Sequence, residues 1–322
     1  IIFLALIACS ISATHNCSPH KAETIIDSAT LQVIEFKELS EILRKSRYIL
    51  IGEKHDNARH HRIQAELLRE LADIQPKVVM EHIDESQAKA WTTHTSVSKP
   101  SEMAKLLNWQ QSGWQDWHLF APVFDVLRAY NLELLPGALK RSRLHRASHK
   151  GANLIFSDEE VRHYGLNQPL PDAIHRALLD DLYASHCEMV PRKHLYPTLR
   201  AQRLRDAFMA RVMTSNSSHQ APVVLLAGSE HVRLDRGVPY YLQGRHRSTE
   251  SPSIATVGLI ELSERTSCNQ PWNTPAHKDL IAKFDYIWIT EAAKRKDPCE
   301  EFAEALRKIH HSASGVTKSV RP

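Results

Sequence analysis

The chain lacks the signatures of most common catalysts. No Gly-x-Ser-x-Gly elbow, Walker loop, dinucleotide-binding glycine fingerprint or His-Glu-x-x-His motif occurs in its 322 residues. That argues against a conventional serine hydrolase, NTPase, dehydrogenase or zincin. It has little net charge, +4, and no basic stripe interleaved with aromatics, so nothing points to nucleic acid. Its five cysteines include no Cys-x-x-Cys pair and no zinc-finger spacing. No apolar run reaches the length of a transmembrane helix. What is there is an ordinary globular composition, 42% hydrophobic and 24% charged, long enough for one large domain or a core with an insert. Histidine is the outlier at 20 residues, roughly three times an average share. Several, among them His145, His149, His310 and His311, lie in basic or terminal stretches and read as solvated surface.

The opening run Ile1 to Ala8 is apolar but too short to span a bilayer, and reads as the core of a secretory signal. Leu6-Ile7-Ala8-Cys9 looks like a bacterial lipobox, which makes Cys9 the expected lipidation site, and Ser10 after it favours the outer membrane. A plain signal peptide cut near Ala13, giving a periplasmic protein, is the alternative. Export would put Cys17, Cys187, Cys268 and Cys299 in an oxidising compartment, with three possible pairings. Cys268 with Cys299, both in the C-terminal region, is the favoured pair, and Cys187 is then a buried thiol.

The hydrophobic pattern predicts an α/β fold: a mainly parallel central sheet flanked by helices, with a helical subdomain inserted. Residues 1–13 form the signal segment and 14–32 a tether. Residues 33–139 and 217–300 form the α/β core, 140–216 the helical subdomain, and 301–322 a C-terminal helix and tail. Strands are expected at Arg47 to Gly52, Lys77 to Met80, Leu132 to Leu135 (ended by Pro136-Gly137), Pro222 to Gly228, Ile254 to Leu262 and Phe284 to Thr290. A helix with Ile63, Leu67, Leu68 and Leu71 on one face joins the first two strands. Residues 86–120 are rich in tryptophan (Trp91, Trp109, Trp114, Trp117).

Three of these apolar runs end in Glu/His clusters: Gly52-Glu53-Lys54-His55-Asp56, Glu81-His82, and Gly228-Ser229-Glu230-His231-Val232-Arg233-Leu234-Asp235. Ligands of open α/β sheets bind beyond the carboxyl ends of the strands, so three segments deliver acid and imidazole groups to one edge. Glu53 and His55 project to the same side if the extended backbone persists. A paired Glu and His suits a metal or haem site, or acid–base work. Asp56 or Asn57 is suited to cap the next helix. Of Glu81 and His82, adjacent on a strand, one is expected to reach the crevice. Arg233 is placed either to clamp a carboxylate such as a propionate or to pair with Asp235. Tyr240 and Tyr241 could supply a phenolate for haem iron or simply pack. His186-Cys187 puts an imidazole and a soft sulfur side by side.

These segments resemble the ChaN-like haem-binding lipoproteins, within the wider superfamily of TIKI, TraB and erythromycin-esterase-like proteins. The matching pieces are Ile51-Gly52-Glu53-Lys54-His55-Asp56-Asn57, Val79-Met80-Glu81, Ser185-His186-Cys187-Glu188-Met189-Val190-Pro191, Ala201-Gln202-Arg203-Leu204-Arg205-Asp206 and the run from Ala227 to Pro239. The resemblance implies haem binding and a role in haem uptake at the cell envelope. It also implies two protomers enclosing haem as a homodimer, and an outer-membrane haem receptor as a further partner. The expected haem-site residues are Glu53, His55, Glu81, His186, His231, Arg233, Tyr183 and Tyr240, with His231, His55 or His186 on iron. A tyrosine ligand is associated with the family, and Tyr164, Tyr183, Tyr240 and Tyr241 are all eligible. The chain departs from the family pattern at Glu230 and Glu188, where relatives carry glycine. The rival reading is a metal-dependent hydrolase, a peptidase or esterase, in which Glu53 and His55 activate water beside a divalent metal and His231.

Overall fold

The computed structural model describes residues 23–96, 99–218, 221–243, 253–262 and 275–316. The signal segment, Cys9, Cys17, Cys268 and the first part of the expected tether lie outside them. The strands are β1 (Thr24–Asp27), β2 (Val33–Ile34), β3 (Tyr48–Glu53), β4 (Lys77–Asp84), β5 (Leu134–Ala138), β6 (Val223–Gly228), β7 (Ile254–Leu262) and β8 (Tyr286–Glu291). The helices are α1 (Phe36–Arg44), α2 (Ala58–Glu70), α3 (Glu85–Thr93), α4 (Pro100–Leu106), α5 (Trp117–Ala129), α6 (Arg141–Lys150), α7 (Asp158–His163), α8 (Asp172–Ser185), α9 (Tyr196–Asn216), α10 (Val238–Leu242), α11 (Pro275–Ile281) and α12 (Pro298–Val316).

All eight strands form one sheet in the order β2-β1-β8-β7-β3-β6-β4-β5. The six from β8 to β5 run parallel, and β1 is antiparallel to both β8 and β2. The chain moves outward from β3 through β4 to β5, then returns to insert β6 between β3 and β4 before building β7 and β8 on the far side. The order reverses around β3 and β6, and such a reversal leaves a crevice at the strand ends.

The parallel strands are buried on both faces, so their sequences run apolar rather than alternating. Ile49 and Ile51 face a core shared with Leu67, Leu68, Phe120 and Phe124 of α2 and α5. Tyr48 and Leu50 face the opposite core, shared with Leu204, Ala207 and Phe208 of α9. Residues 140–216 carry only helices among the described residues, and α9 brings that stretch directly onto the sheet. Two expectations need correction. The tether carries strand β1, because Ile25 and Ile26 are buried against β8. Pro136-Gly137 does not end β5 but lies inside it: β5 is an edge strand, where proline is tolerated. A Cβ on Gly137 would lie 2.5 Å from the Met80 carbonyl oxygen, so only glycine lets the two backbones meet there.

The cysteine pairing also differs. Cys187, in the turn after α8, is bonded to Cys299 in the first turn of α12, not left as a thiol, so Cys268 is not the partner of Cys299. The 112-residue separation made this pair invisible to an argument from proximity in sequence. No helix among the described residues is long and apolar enough to cross a membrane.

Candidate functional site at the strand ends

Strand alternation sorts the acid and imidazole groups onto two faces. Glu53 follows Ile49 and Ile51 on the α2/α5 face, and its carboxylate is buried. Beyond it the turn to α2 is tightly held. Asn57 rather than Asp56 caps the helix, accepting from the Arg59 and His60 amides, and it also donates to Glu261 on β7. Asp56 instead pairs with Arg295, which bridges to Glu261. His60 accepts from the Lys54 amide and meets Thr290 on β8, and burial lowers its pKa to about 4, which keeps it neutral. This turn presents His55 half-exposed, with Nδ1 2.6 Å from Glu53 Oε1.

Both Glu81 and His82 join the buried cluster at the strand ends, where only one was expected to point to that edge. The reason is that β4 continues to Asp84, past its last pairing with β6 at Met80. His82 turns to the α2/α5 side, where its Nε2 lies 3.3 Å from both Glu53 Oε1 and His55 Nδ1. Glu81 turns to the α9 side. One of its oxygens accepts from the Gly228 amide at 2.8 Å and the other lies 3.2 Å from His231 Nε2. His231 Nδ1 meets Asp206 Oδ1 of α9 at 2.5 Å. The two halves join over the end of β6, with His55 Nε2 4.0 Å from Glu81 Oε2. Gly228 makes the crossing possible, since a Cβ there would sit 3.0 Å from the His55 ring.

The result is a chain of alternating charge, buried except at His55: Glu53, His55, Glu81, His231, Asp206. Burial would raise the carboxyl pKa of Glu53 and lower the imidazole pKa of His55, but the opposing charges outweigh it. His55 rises to about 9, held by Glu53, and Glu53 falls well below the usual carboxylate range. His231, flanked by Glu81 and Asp206, rises to about 10, and Glu81 falls. Asp206 is pushed up by burial, as one imidazolium cannot neutralise two carboxylates. His82 is pushed down by burial and is neutral at pH 7. Trp114 lies 4.3 Å from His82 and 5.0 Å from His55 between ring centres, and Phe120 packs on His82 and His61.

Other expected site residues are not brought to this network. Arg233 is buried and gripped by Asp235 through two parallel bonds of 2.6 and 2.8 Å, with Asp181 and Glu230 beside it. Of the two roles expected for it, pairing with Asp235 is the one the structure shows. His186 Nδ1 donates to the Leu182 carbonyl at its own helix end and its ring packs on Phe302, Tyr183 lies under Arg192, and Tyr240 packs on Tyr241. Nor is His231 the third corner beside Glu53 and His55, because both its nitrogens meet other carboxylates. His82 holds that corner. Sequence reasoning gave no individual role to Asp206, His61 or Phe120, and for tryptophans such as Trp114 only a general one, covering a porphyrin. Asp206 carried a signal only as the last residue of the matching piece Ala201–Asp206; the others look like any helical or loop residue.

The family described as "Haem-binding uptake, Tiki superfamily, ChaN" matches residues 39–242. The chain belongs to this family. No curated protein matches it. Among solved structures, that described as cofacial haem binding to ChaN of Campylobacter jejuni is 23% identical, covers 85% of this chain and 98% of its own, and superposes with a TM-score of 0.65. It shares the fold. An erythromycin esterase mutant in its open conformation is 13% identical over 86% of this chain and 98% of its own, with a TM-score of 0.47, too low to carry an argument. Every residue of the network, from Glu53 to His231, lies within the matched span.

Proposed function

We propose that this protein binds haem at the carboxyl ends of its strands and serves haem or iron uptake at the cell envelope. The observation that carries the reading is the family match over residues 39–242. Campylobacter jejuni ChaN, which shares the fold, is described as binding haem cofacially. The residues here fit such a ligand: His55 offers a half-exposed imidazole, and Trp114 beside it a flat aromatic surface. Haem, when bound, supplies iron chemistry; the protein's own groups hold and cover it. Tyr183, Tyr240 and His186 are half-exposed on the helical side and are the further candidates for iron, whereas Tyr164 and Tyr241 are buried. The Cys187–Cys299 disulfide supports an oxidising compartment, and with it export and a lipid anchor at Cys9. A homodimer enclosing haem, and delivery from an outer-membrane receptor, complete the reading.

Hemin titration tests it. A sharp Soret band saturating at fixed stoichiometry is expected, with the apparent affinity at least about tenfold weaker in His55→Ala, and light scattering of the same samples reports the dimer. A featureless spectrum that never saturates would sink the proposal.

A further inference from the structure

Three donor atoms at the ends of β3 and β4 face one point. Glu53 Oε1 and His55 Nδ1 lie 2.6 Å apart, and His82 Nε2 lies 3.3 Å from each. Ligand atoms about 2.0–2.1 Å from a four-coordinate zinc ion stand roughly 3.3–3.4 Å from one another. Two of the three separations already have that value. The third is shorter because a hydrogen bond between His55 and Glu53 spans it.

Further observations point to a ligand. Glu53 Oε2 is buried without a hydrogen-bond partner among the described residues, with His61 Nε2 3.7 Å away. The carboxylate therefore has coordinating capacity that the protein does not use. Behind His55, its outer nitrogen faces Glu81, the carboxylate–imidazole order that orients metal-binding histidines. All three groups stand on or directly beyond strands, and Trp114 and Phe120 wall the trio on the side of His82. His55 is the only half-exposed member, so one side of the trio faces water.

We propose that Glu53, His55 and His82 form a site for one divalent transition-metal ion of the zinc class, with a fourth position open to water beside His55. Two imidazoles and one carboxylate suit zinc or cobalt(II), and disfavour calcium and magnesium, which take oxygen ligands. On binding, the ion replaces the proton on His55 Nδ1, which leaves to solvent, while Nε2 keeps its hydrogen towards Glu81. The site shares His55 with the proposed haem site, so zinc and haem iron compete for that imidazole, whereas His82, buried within the core, serves the zinc site alone.

Chelator-stripped protein titrated with zinc by calorimetry tests the assignment, against His82→Gln. One ion per chain is expected, bound at least about tenfold more weakly by the variant. Cobalt(II) should give the intense visible bands of four-coordination in the parent and lose them in the variant. The chain has 20 histidines, so equal zinc affinity in both proteins, or several ions per chain in both, would mean binding elsewhere and overturn the site. So would a six-coordinate cobalt spectrum. If His82→Gln fails to fold, X-ray absorption of the zinc-loaded parent decides: two imidazoles in the shell support the trio, and fewer overturn it. Hemin titration of folded His82→Gln separates the two readings. A retained Soret band with lost zinc supports a zinc site that needs His82 where haem does not, and loss of both assigns the trio to haem and overturns the zinc site.

Discussion

The ends of β3 and β6 carry the same spacing, a glycine followed three residues later by a histidine, and use it in opposite ways. After Gly52 the backbone stays extended, so Glu53 remains on the core face and holds the histidine of its own segment. After Gly228 the chain turns at once into a short 3-10 turn, Ser229–His231. Glu230 swings outward to Arg233 and Arg236, and His231 takes its carboxylates from two other elements, Glu81 of β4 and Asp206 of α9. The first end is open, with a half-exposed imidazole. The second is sealed. Where a carboxylate goes is decided by the backbone after the glycine, not by its spacing from the histidine.

The two glycines give the sharpest contrast. A Cβ at Gly52 would lie 2.3 Å from Val232 Cγ2 and 2.8 Å from the Ser229 backbone, where the two strand ends are pinned together. Gly52→Ala is expected to lower stability by about 3 kcal/mol or more in urea denaturation, since backbone must shift. At Gly228 the nearest atoms belong to the His55 side chain at 3.0 Å, which can tilt into the open side. Gly228→Ala is expected to cost about 1–2 kcal/mol and to weaken haem binding more than it weakens the fold. Equal destabilisation by the two substitutions would erase the distinction between open and sealed ends.

A smaller effect separates the ends by pH. Both imidazoles have folded pKa values above the ordinary histidine value of 6.5, about 9 for His55 and about 10 for His231. A raised folded pKa contributes stability that is complete below the unfolded value and is lost as pH rises through the folded one. Alkaline loss should therefore come in two overlapping steps, the open end near pH 9 and the sealed end near pH 10. His60 works in the other direction. Burial depresses it to about 4, so its contribution is present above 6.5 and declines as pH falls towards about 4. Urea midpoints measured across this range should form a dome, and His55→Gln should remove the earlier alkaline step while leaving the later one. Stability that stays flat from neutrality to pH 10 would show that neither imidazolium supports the fold.

Much of this was legible in the sequence, for identifiable reasons. Strands buried on both faces announce themselves as short β-branched runs, and so β3, β4 and β6 and their polar ends were readable before any coordinates. Family-scale motifs then placed those ends in one site. What stayed hidden needed the third dimension. Asp206 and His61 sit on helix faces whose burial depends on the sheet beneath them, and no periodicity distinguishes them from solvated neighbours. The double use of Glu81 and His82 required knowing that β4 outruns β6. The partner of Cys187 lies 112 residues away, and β1 is too short to stand out until β8 is there to pair with it.

Glu230 tests how far the turn after β6 is independent of the network it borders. Glycine is the residue the family resemblance leads one to expect there, and a glutamate beside a histidine invites the idea of a charged or crowded pocket. The structure directs its carboxylate away, onto Arg233 and Arg236, with the side chain 58% exposed. Asp181 contacts the same two guanidinium groups, and Asp235 grips Arg233 as well. Removing Glu230 thus leaves each buried arginine with a carboxylate partner, and water reaches the position it vacates. Glu230→Gly is expected to cost on the order of 1 kcal/mol or less, since a half-exposed pair is screened by solvent. Its alkaline transition and hemin saturation should overlay those of the parent, because His231 keeps both Glu81 and Asp206. A shifted upper alkaline step in that variant would mean that the outward arginine cluster sets the charge of the sealed end, and that the two sides of the turn act as one unit.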